Sequence, residues 1–259
     1  MLAVRDAENR VATLVAAAAA AGADAADALY VGDASTSVAL RLGKLEDVAR
    51  SEGEEIGLRV FVGQRSASVS SSDLSQDVVA ALVERAVAMA REAPEDRWAG
   101  LAPEDRLLRG TPPALDLDDG ADPSPAMLRE RALAAEDAAR AVPGVTNSEG
   151  GGASAGRSIV ALATSTGFAA GYAATSYGCS ASVIAGEGAG MQRDYAFRQA
   201  RHIADLEAAE SIGRRAGERA VARLNPIRIP SGAMPVVFDK RVGASLLNHL
   251  VGAITGSAV

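Results

Sequence analysis

The chain contains 259 residues, of which 48% are hydrophobic and 3% aromatic, and its formal net charge is −7. The hydrophobic content is ample for a folded core and excludes a disordered protein. The excess of acidic side chains and the scarcity of rings argue against nucleic-acid binding, because phosphate backbones are held by clustered Lys and Arg. The single cysteine, Cys179, excludes an internal disulfide and a multi-thiolate metal site, and it favours a reducing, cytoplasmic compartment.

Two apolar stretches resemble export or membrane signals. Residues 11–22 could be the core of a signal peptide, but Asp6 and Glu8 replace the usual basic leader and the run is alanine rather than leucine. Residues 242–254 carry polar side chains in their middle and lack interfacial anchors at either end. We therefore expect a well-packed first helix, a buried terminal helix and no membrane association.

The first third of the chain predicts a helix, a sheet and a second helix. Hydrophobic periodicity indicates a helix over residues 6–22. Three β-rich runs separated by glycine-containing turns then indicate an antiparallel meander. These runs are residues 37–42, 56–62 and 66–70. Asp73 or Ser75 is expected to cap the next helix, whose apolar stripe lies between residues 78 and 89.

A Pro- and Asp-rich connector at residues 93–123 precedes a second series of elements in the same order. We predict a helix over residues 127–141, strands between residues 145 and 197, and a helix over residues 211–224. Within the connector, residues 116–120 lack the spacing and the terminal glutamate of a calcium loop, so a solvated linker is expected there.

Three short sequence words recur in the same order in the two series. They are Ser51-Glu52-Gly53 and Ser148-Glu149-Gly150, Asp73-Leu74 and Asp205-Leu206, and Glu84-Arg85-Ala86-Val87-Ala88 and Glu218-Arg219-Ala220-Val221-Ala222. They predict an internally duplicated α+β domain over residues 1–225, with helix–antiparallel meander–helix repeats at 6–92 and 124–225. Two prolines then separate this domain from residues 226–259, which are expected to begin a β-rich second domain with a strand at 233–239.

A Gly-x-Ser-x-Gly pattern centred on Ser154 matches the nucleophile elbow of α/β hydrolases. That elbow lies between a strand and a helix, whereas residues 157–162 after the serine have the pattern of a strand. A serine hydrolase with Ser154 as nucleophile would need His202 or His249 as its base, since these are the two histidines of the chain. It is the weakest of the functional hypotheses.

The terminal apolar run contains a histidine but lacks the pattern of a zinc-protease helix. Such a helix supplies two histidines four residues apart and a glutamate base. The residues four before and four after His249 are Ser245 and Ala253, and no carboxylate occurs from Lys240 to Val259. We therefore expect His249 to be a hydrogen-bonded core or interface residue and expect this chain to bind no cofactor.

Several segments spread over nearly the whole chain occur in a familiar order, although none is diagnostic by itself. They are residues 55–60, 71–75, 147–150, 163–168, 191–195, 212–213, 218–226 and 235–239. In this order the chain resembles the TldD/PmbA family, specifically its PmbA branch, which is also called TldE.

The resemblance carries expectations about metal binding. In the TldD branch, the segment after the corresponding Leu-Leu pair reads His-Glu-x-x-x-His and carries the catalytic zinc. Placed on Leu246-Leu247, that motif falls on Asn248, His249 and Ala253, so the resemblance implies a subunit without the metal-binding pair. Members of the family continue into a β-rich C-terminal domain, which implies that this chain corresponds to their N-terminal portion and that its second domain is truncated.

The resemblance also implies a function. The two kinds of subunit are thought to form a heterodimeric metalloprotease that cleaves unfolded or flexible peptides, with zinc in the TldD-type partner and with this chain inactive alone. An extended peptide could be held by adding a strand to an exposed sheet edge, although the residues that would bind it are unknown. The alternative is a regulatory or interaction module without protease activity, as the family's older gyrase-modulator naming implies.

Overall fold

The computed structural model describes residues 1–108 and 110–256 and divides the chain into two units, Met1–Leu224 and Asn225–Val259. Within the described residues, the first unit has four α-helices and six strands, so the predicted α+β class is confirmed. In chain order these are α1 Val4–Ala20, β1 Ala25–Arg41, β2 Lys44–Val62, β3 Arg65–Ser71, α2 Gln76–Glu92, α3 Pro125–Arg140, β4 Val145–Thr164, β5 Ala169–Ala185, β6 Gln192–Ala200 and α4 Ala209–Ala222.

The six strands form one antiparallel sheet in the order β3-β2-β1-β4-β5-β6. The first strand of each series therefore lies at the centre, where Val31 of β1 is opposite Val160 of β4. On its other side Val31 is opposite Glu55 of β2. The centre of the sheet thus joins segments that are far apart in the sequence.

Both helix pairs cover the same face of this sheet. Ala28 and Tyr30 of β1 belong to the core under α1 and α2, and Val38 and Leu40 of the same strand belong to the core under α3 and α4. All four are even-numbered residues of one strand, and alternate residues of a strand point to the same face. The other face of the sheet, called the open face below, therefore carries the odd-numbered residues of β1.

The two helices of the second series approach each other closely because two glycines of α4 face α3. A Cβ at Gly213 would clash with the carbonyl oxygen of Ala135, and a Cβ at Gly217 would lie 2.7 Å from the carbonyl oxygen of Ala139. The Gly-x-x-x-Gly spacing puts both glycines on one side of α4. The two glycines therefore allow the backbone of α4 to approach the backbone of α3 closely.

A buried carboxylate holds the β1–β2 hairpin on α3. The hairpin turns through Leu42 and Gly43, whose φ angles of 52° and 75° are the left-handed values of a two-residue turn. The Glu136 carboxylate, which is fully buried, accepts hydrogen bonds from the backbone N–H groups of Leu42 (2.7 Å) and Gly43 (2.8 Å) and from the Ser148 hydroxyl (2.5 Å). Burial would raise the pKa of Glu136, but these hydrogen bonds together hold its pKa below the usual value.

The two series share an element order, but their sequence words do not all occupy equivalent places. Asp73-Leu74 and Asp205-Leu206 both lie between a third strand and the helix that follows. Ser51-Glu52-Gly53 lies inside the second strand of its series, β2, whereas Ser148-Glu149-Gly150 lies in the first strand of its series, β4. The repeated element order is thus observed, while duplication stays a prediction.

The second unit contains one α-helix in its described part, α5 Lys240–Ala253, which confirms the predicted terminal helix. The Asp239 carboxylate accepts a hydrogen bond from the backbone N–H of Arg241 (2.8 Å) at its start. The expected strand at 233–239 is wrong, because these residues pair with no strand. The expected burial of α5 is not observed either, since Leu247 and Val251 are 66% and 60% exposed.

In the described part of the chain, every helix falls short of the length and apolarity needed to span a lipid bilayer.

Replacing Gly213 with Ala should lower the free energy of unfolding by about 2–3 kcal/mol, because the added methyl forces α4 away from α3. Urea unfolding followed by circular dichroism measures the change. Gly53→Ala is the matched control, since its Cβ would meet no atom within 4 Å. Equal stability of the two variants would contradict the close approach.

Replacing Glu136 with Gln should cost about 1–3 kcal/mol of stability, because an amide cannot accept at both positions where the carboxylate does. A depressed folded-state pKa means that the contribution of Glu136 is present above its unfolded pKa and is lost as pH falls through the folded value. The variant should therefore lose less stability on acidification than the parent. Glu130→Gln, at an exposed position of the same helix, is the control.

Candidate functional site

The open face of the sheet carries small polar residues at its centre and larger apolar side chains towards its margins. Tyr195 and Phe197 of β6 project from it, with their rings stacked at a centroid distance of 6.2 Å, and Phe197 is 57% exposed. Leu162 of β4 and Tyr172 of β5 are also exposed on this face. Such a surface is suited to contact with another chain.

A shallow depression of about 440 Å³ lies on the open face over β1, β4, β5 and β6, between Ser154 and Phe197. It exists because Gly178 leaves room next to Ser154, whose hydroxyl oxygen would be 2.7 Å from a Cβ at that glycine. Ser154 itself lies in the middle of β4, opposite Ser37 on β1. The Gly-x-Ser-x-Gly pattern is therefore part of a regular strand and forms no strand-to-helix elbow.

His202 is engaged elsewhere and does not serve Ser154 as the hydrolase hypothesis requires. The His202 Nε2 donates a hydrogen bond to the carbonyl oxygen of Asp116 (2.9 Å), and this bond raises the pKa of His202. A serine without a hydrogen-bonded base stays a weak nucleophile.

The outer edge of β2 has no strand partner in the described ranges 1–108 and 110–256 over residues 44–55, a stretch called the β2 edge below. Its neighbour β3 begins to pair at Ile56, opposite Ser71. Val62 and Arg65 flank the two-residue β2–β3 turn and form a hydrogen-bonded pair. Because the hydrogen-bonding direction alternates along a strand, every second residue of β2 before Val62 directs its backbone N–H and C=O groups away from β1. In the β2 edge these residues are Val48, Arg50, Glu52 and Glu54.

The corresponding edge of β5 is covered by the chain itself. β6 pairs with β5 only from Tyr177 onwards, so the beginning of β5 would otherwise be open in the same way. There the Thr175 N–H donates to the carbonyl oxygen of Leu117 in the connector (2.8 Å). The Gly171 N–H donates to the Glu8 carboxylate (2.7 Å). An unpaired edge is a template for another strand, and the chain fills this template on β5 and leaves it open on β2.

The connector is held on β5 by a carboxylate that sequence reasoning missed. Asp119 accepts hydrogen bonds from the Tyr177 hydroxyl (2.5 Å), the Ile203 N–H (2.8 Å) and the Ala121 N–H (3.0 Å). The bond from Tyr177 is the main reason that the pKa of Asp119 is lowered to about 2. Burial, followed by the Asp119 hydrogen bond, raises the pKa of Tyr177 to about 12.

The expectation of a solvated linker at residues 116–120 is thus wrong for its central residues. Asp118 forms an ion pair with Arg157 of β4 (2.6 Å), and Asp119 is only partly exposed. The sequence signal was indirect: a buried tyrosine such as Tyr177 needs a hydrogen-bond partner for its hydroxyl. Nothing in the local pattern indicated which carboxylate would supply it.

The residues on which the resemblance places the zinc motif do not have the side chains of a zinc site. Of Asn248, His249 and Ala253, only His249 has a side chain that zinc commonly binds. Within residues 1–108 and 110–256, no three His, Cys, Asp or Glu side chains are grouped so that they could hold a metal ion.

Family models match two stretches of the chain. The model described as PmbA/TldA metallopeptidase domain 1 matches residues 26–90, and that of the PmbA/TldA metallopeptidase central domain matches residues 118–224. Together they cover more than half of the chain and nearly all strands of the sheet.

Two curated relatives have similar sequences. Metalloprotease PmbA of Escherichia coli O157:H7 is 37% identical over 224 residues, which are 86% of this chain and 50% of the relative. The Metalloprotease PmbA homolog of Haemophilus influenzae is 31% identical over 224 residues, 86% of this chain and 49% of the relative. The chain spans about half the length of these curated relatives.

Solved structures share the fold. A putative modulator of DNA gyrase from Bacteroides thetaiotaomicron superposes with a TM-score of 0.87 at 24% identity, over 97% of this chain and 57% of that one. TldE from Thermococcus kodakarensis superposes with a TM-score of 0.69 at 16% identity, over 82% of this chain and 47% of that one. At these identities the similarity shows the fold alone.

Replacing Tyr177 with Phe should move the pKa of Asp119 from about 2 towards that of an ordinary aspartate, because the main hydrogen bond to its carboxylate is removed. The contribution of Asp119 to stability is present above its unfolded pKa and is lost as pH falls through the folded one, so the variant should destabilise at a higher pH than the parent. NMR titration of the carboxyl carbon measures the shift. Tyr172→Phe, at an exposed position, is the control and should leave the titration unchanged.

Proposed function

Because the chain belongs to the PmbA/TldA metallopeptidase family, in its PmbA branch, we propose that it is the non-metal subunit of a heterodimeric metallopeptidase acting on unfolded peptides. The catalytic zinc is bound by a TldD-type partner in the cytoplasm. This chain contributes surface that holds the peptide in an extended form and is inactive alone.

The observation that carries this proposal is the composition of α5. The helix occupies the segment in which the TldD branch carries His-Glu-x-x-x-His, and here Asn248 and Ala253 stand at the histidine positions. An amide and a methyl group supply neither the imidazole pair nor the glutamate that activates zinc-bound water. This composition supports the proposal that a different subunit supplies the chemistry.

The open face of the sheet supports a role in holding other chains. It combines exposed aromatic side chains such as Tyr172 and Phe197 with a shallow depression. Aromatic side chains are enriched where proteins contact one another. The alternative role, a regulatory or interaction module without protease activity, would use the same surface and is distinguished below by experiment.

We also propose that the two series of elements arose by internal duplication. The matching order of helix, three strands and helix supports this origin, as does the shared place of Asp73-Leu74 and Asp205-Leu206 before the last helix of each series. The displaced Ser-Glu-Gly words would then be coincidental.

Mixing this chain with a TldD-type protein should give a complex that contains zinc and hydrolyses an unfolded peptide, whereas this chain alone should do neither. Size-exclusion chromatography, metal analysis and peptide cleavage measure the three properties. His249→Ala should leave zinc content and hydrolysis unchanged. Changing both motif histidines of the partner to Ala should abolish zinc binding and hydrolysis.

Two outcomes would contradict the proposal. Stoichiometric zinc bound by this chain alone would place the metal site here. Failure to pair with any TldD-type protein, together with no peptide cleavage in the mixture, would favour the interaction module.

A further inference from the structure

We infer that the β2 edge, residues 44–55, binds an extended peptide segment rich in Lys or Arg by adding it as a seventh strand of the sheet. Backbone pairing with the outward-pointing groups of β2 would provide affinity, and the acidic side chains of the edge would select the charge of the segment. This inference deepens the proposed peptide-holding role and rests on it for the source of the peptide.

The edge of β5 shows which groups can satisfy the backbone of an open strand edge in this sheet. On β5, the outward N–H groups of Gly171 and Thr175 are satisfied by Glu8 and by the carbonyl oxygen of Leu117 in the connector. The β2 edge has the same place in its own series, the first part of the middle strand. An extended segment lying as the connector does would satisfy the backbone groups of Val48 and Arg50 in the same way.

The charges of the edge define the chemistry of the segment. Residues 44–55 contain five acidic and two basic side chains. Arg50 is engaged by Glu52 (2.5 Å), and Glu54 accepts a hydrogen bond from Tyr30 (2.8 Å). The carboxylates that remain without a charged partner in the described part are those of Glu46, Asp47 and Glu55.

Two of these carboxylates lie where an added strand would meet them. Asp47 is opposite Ala39 and Glu55 is opposite Val31, so both point to the open face. Eight residues of strand separate them by about 26 Å. A strand lying about 4.8 Å from β2 would bring alternate side chains beside both carboxylates, and Lys or Arg side chains are long enough to reach them.

The same charges argue against a second copy of this chain as the occupant. Two β2 edges paired antiparallel would face each other with an excess of acidic side chains, and like charges directly opposite destabilise a strand pair. A segment rich in Lys or Arg is instead attracted by the same acidic side chains that oppose pairing of two β2 edges.

The test measures binding of a fluorescein-labelled peptide of alternating Lys and Val to this chain by fluorescence anisotropy at low salt. A peptide with Glu in place of Lys should bind at least tenfold more weakly. The double variant D47N/E55Q should weaken binding of the Lys peptide about fivefold, since each exposed ion pair contributes modestly. The matched control E92Q/E130Q, which removes two exposed carboxylates elsewhere, should change binding less than twofold.

Strand addition is separated from general charge attraction by removing backbone donors. Val48→Pro keeps every charge but lacks the outward N–H and should weaken binding at least tenfold, whereas Val48→Thr should bind as the parent does. If circular dichroism shows that Val48→Pro is misfolded, N-methylation of alternate residues of the peptide tests the same pairing on the unaltered protein. One of the two N-methylated registers should lose binding.

Equal binding of the Lys and Glu peptides, or equal effects of the two double variants, would overturn the charge preference. Binding that survives N-methylation in both registers would overturn strand addition at the β2 edge. A dimer of the parent that Val48→Pro converts to a monomer in sedimentation velocity would show a second copy on the edge and also overturn the inference.

The binding assay needs no partner subunit, so its failure is distinct from failure of the proposed function. Lost peptide binding with intact partner-dependent hydrolysis would overturn only the proposal that the β2 edge binds a basic peptide. Intact peptide binding without pairing or hydrolysis in the mixture would overturn only the peptidase-subunit proposal.

Discussion

The hydrogen bonds of the Glu136 carboxylate tie the two series of elements together. The residue lies on α3, in the second series, and its two oxygens accept from the turn of the first hairpin and from Ser148 of β4. A carboxylate without these donors would be costly to bury. Its position therefore requires that β1, β2, β4 and α3 assemble together. It also holds the turn of the β1–β2 hairpin, next to the β2 edge.

Alanine and glycine make the rest of this assembly possible. Helices covered with bulky side chains could not approach as α4 approaches α3 at Gly213. A similarly close approach occurs at Gly151, where a Cβ would collide with the carbonyl oxygen of Ala132 on α3. A core of small residues buries less apolar area per residue, and it compensates by close packing and by polar anchors such as Glu136 and Asp119.

Much of the fold could be predicted from local patterns, because amphipathic helices show their apolar stripes directly in the sequence. The strands were recognised where apolar side chains alternate with small or polar ones, as at 56–62 and 66–70. Residues 25–36 and 44–55 were missed, since they are rich in Ala, Asp, Glu and Gly, which favour strands poorly by themselves. Their pairing with each other and with β4 overrides that preference. The β2 edge and the Asp119 anchor depend on such distant partners and were therefore invisible to local reasoning.

The central pairing of β1 with β4 has a consequence for biosynthesis. The core under α1 and α2 includes Ile159, Ala161 and Ala163 of β4, and the Ala26 N–H donates to the Ser165 hydroxyl, 139 residues later in the chain. While the ribosome is still translating the connector, the first series has neither its central neighbour strand nor a complete core. Contacts of such long range close slowly, and an unpaired strand edge exposed meanwhile invites misassembly. Until β4 leaves the exit tunnel, the nascent first half lacks the neighbour strand of β1 and the three core residues that β4 supplies.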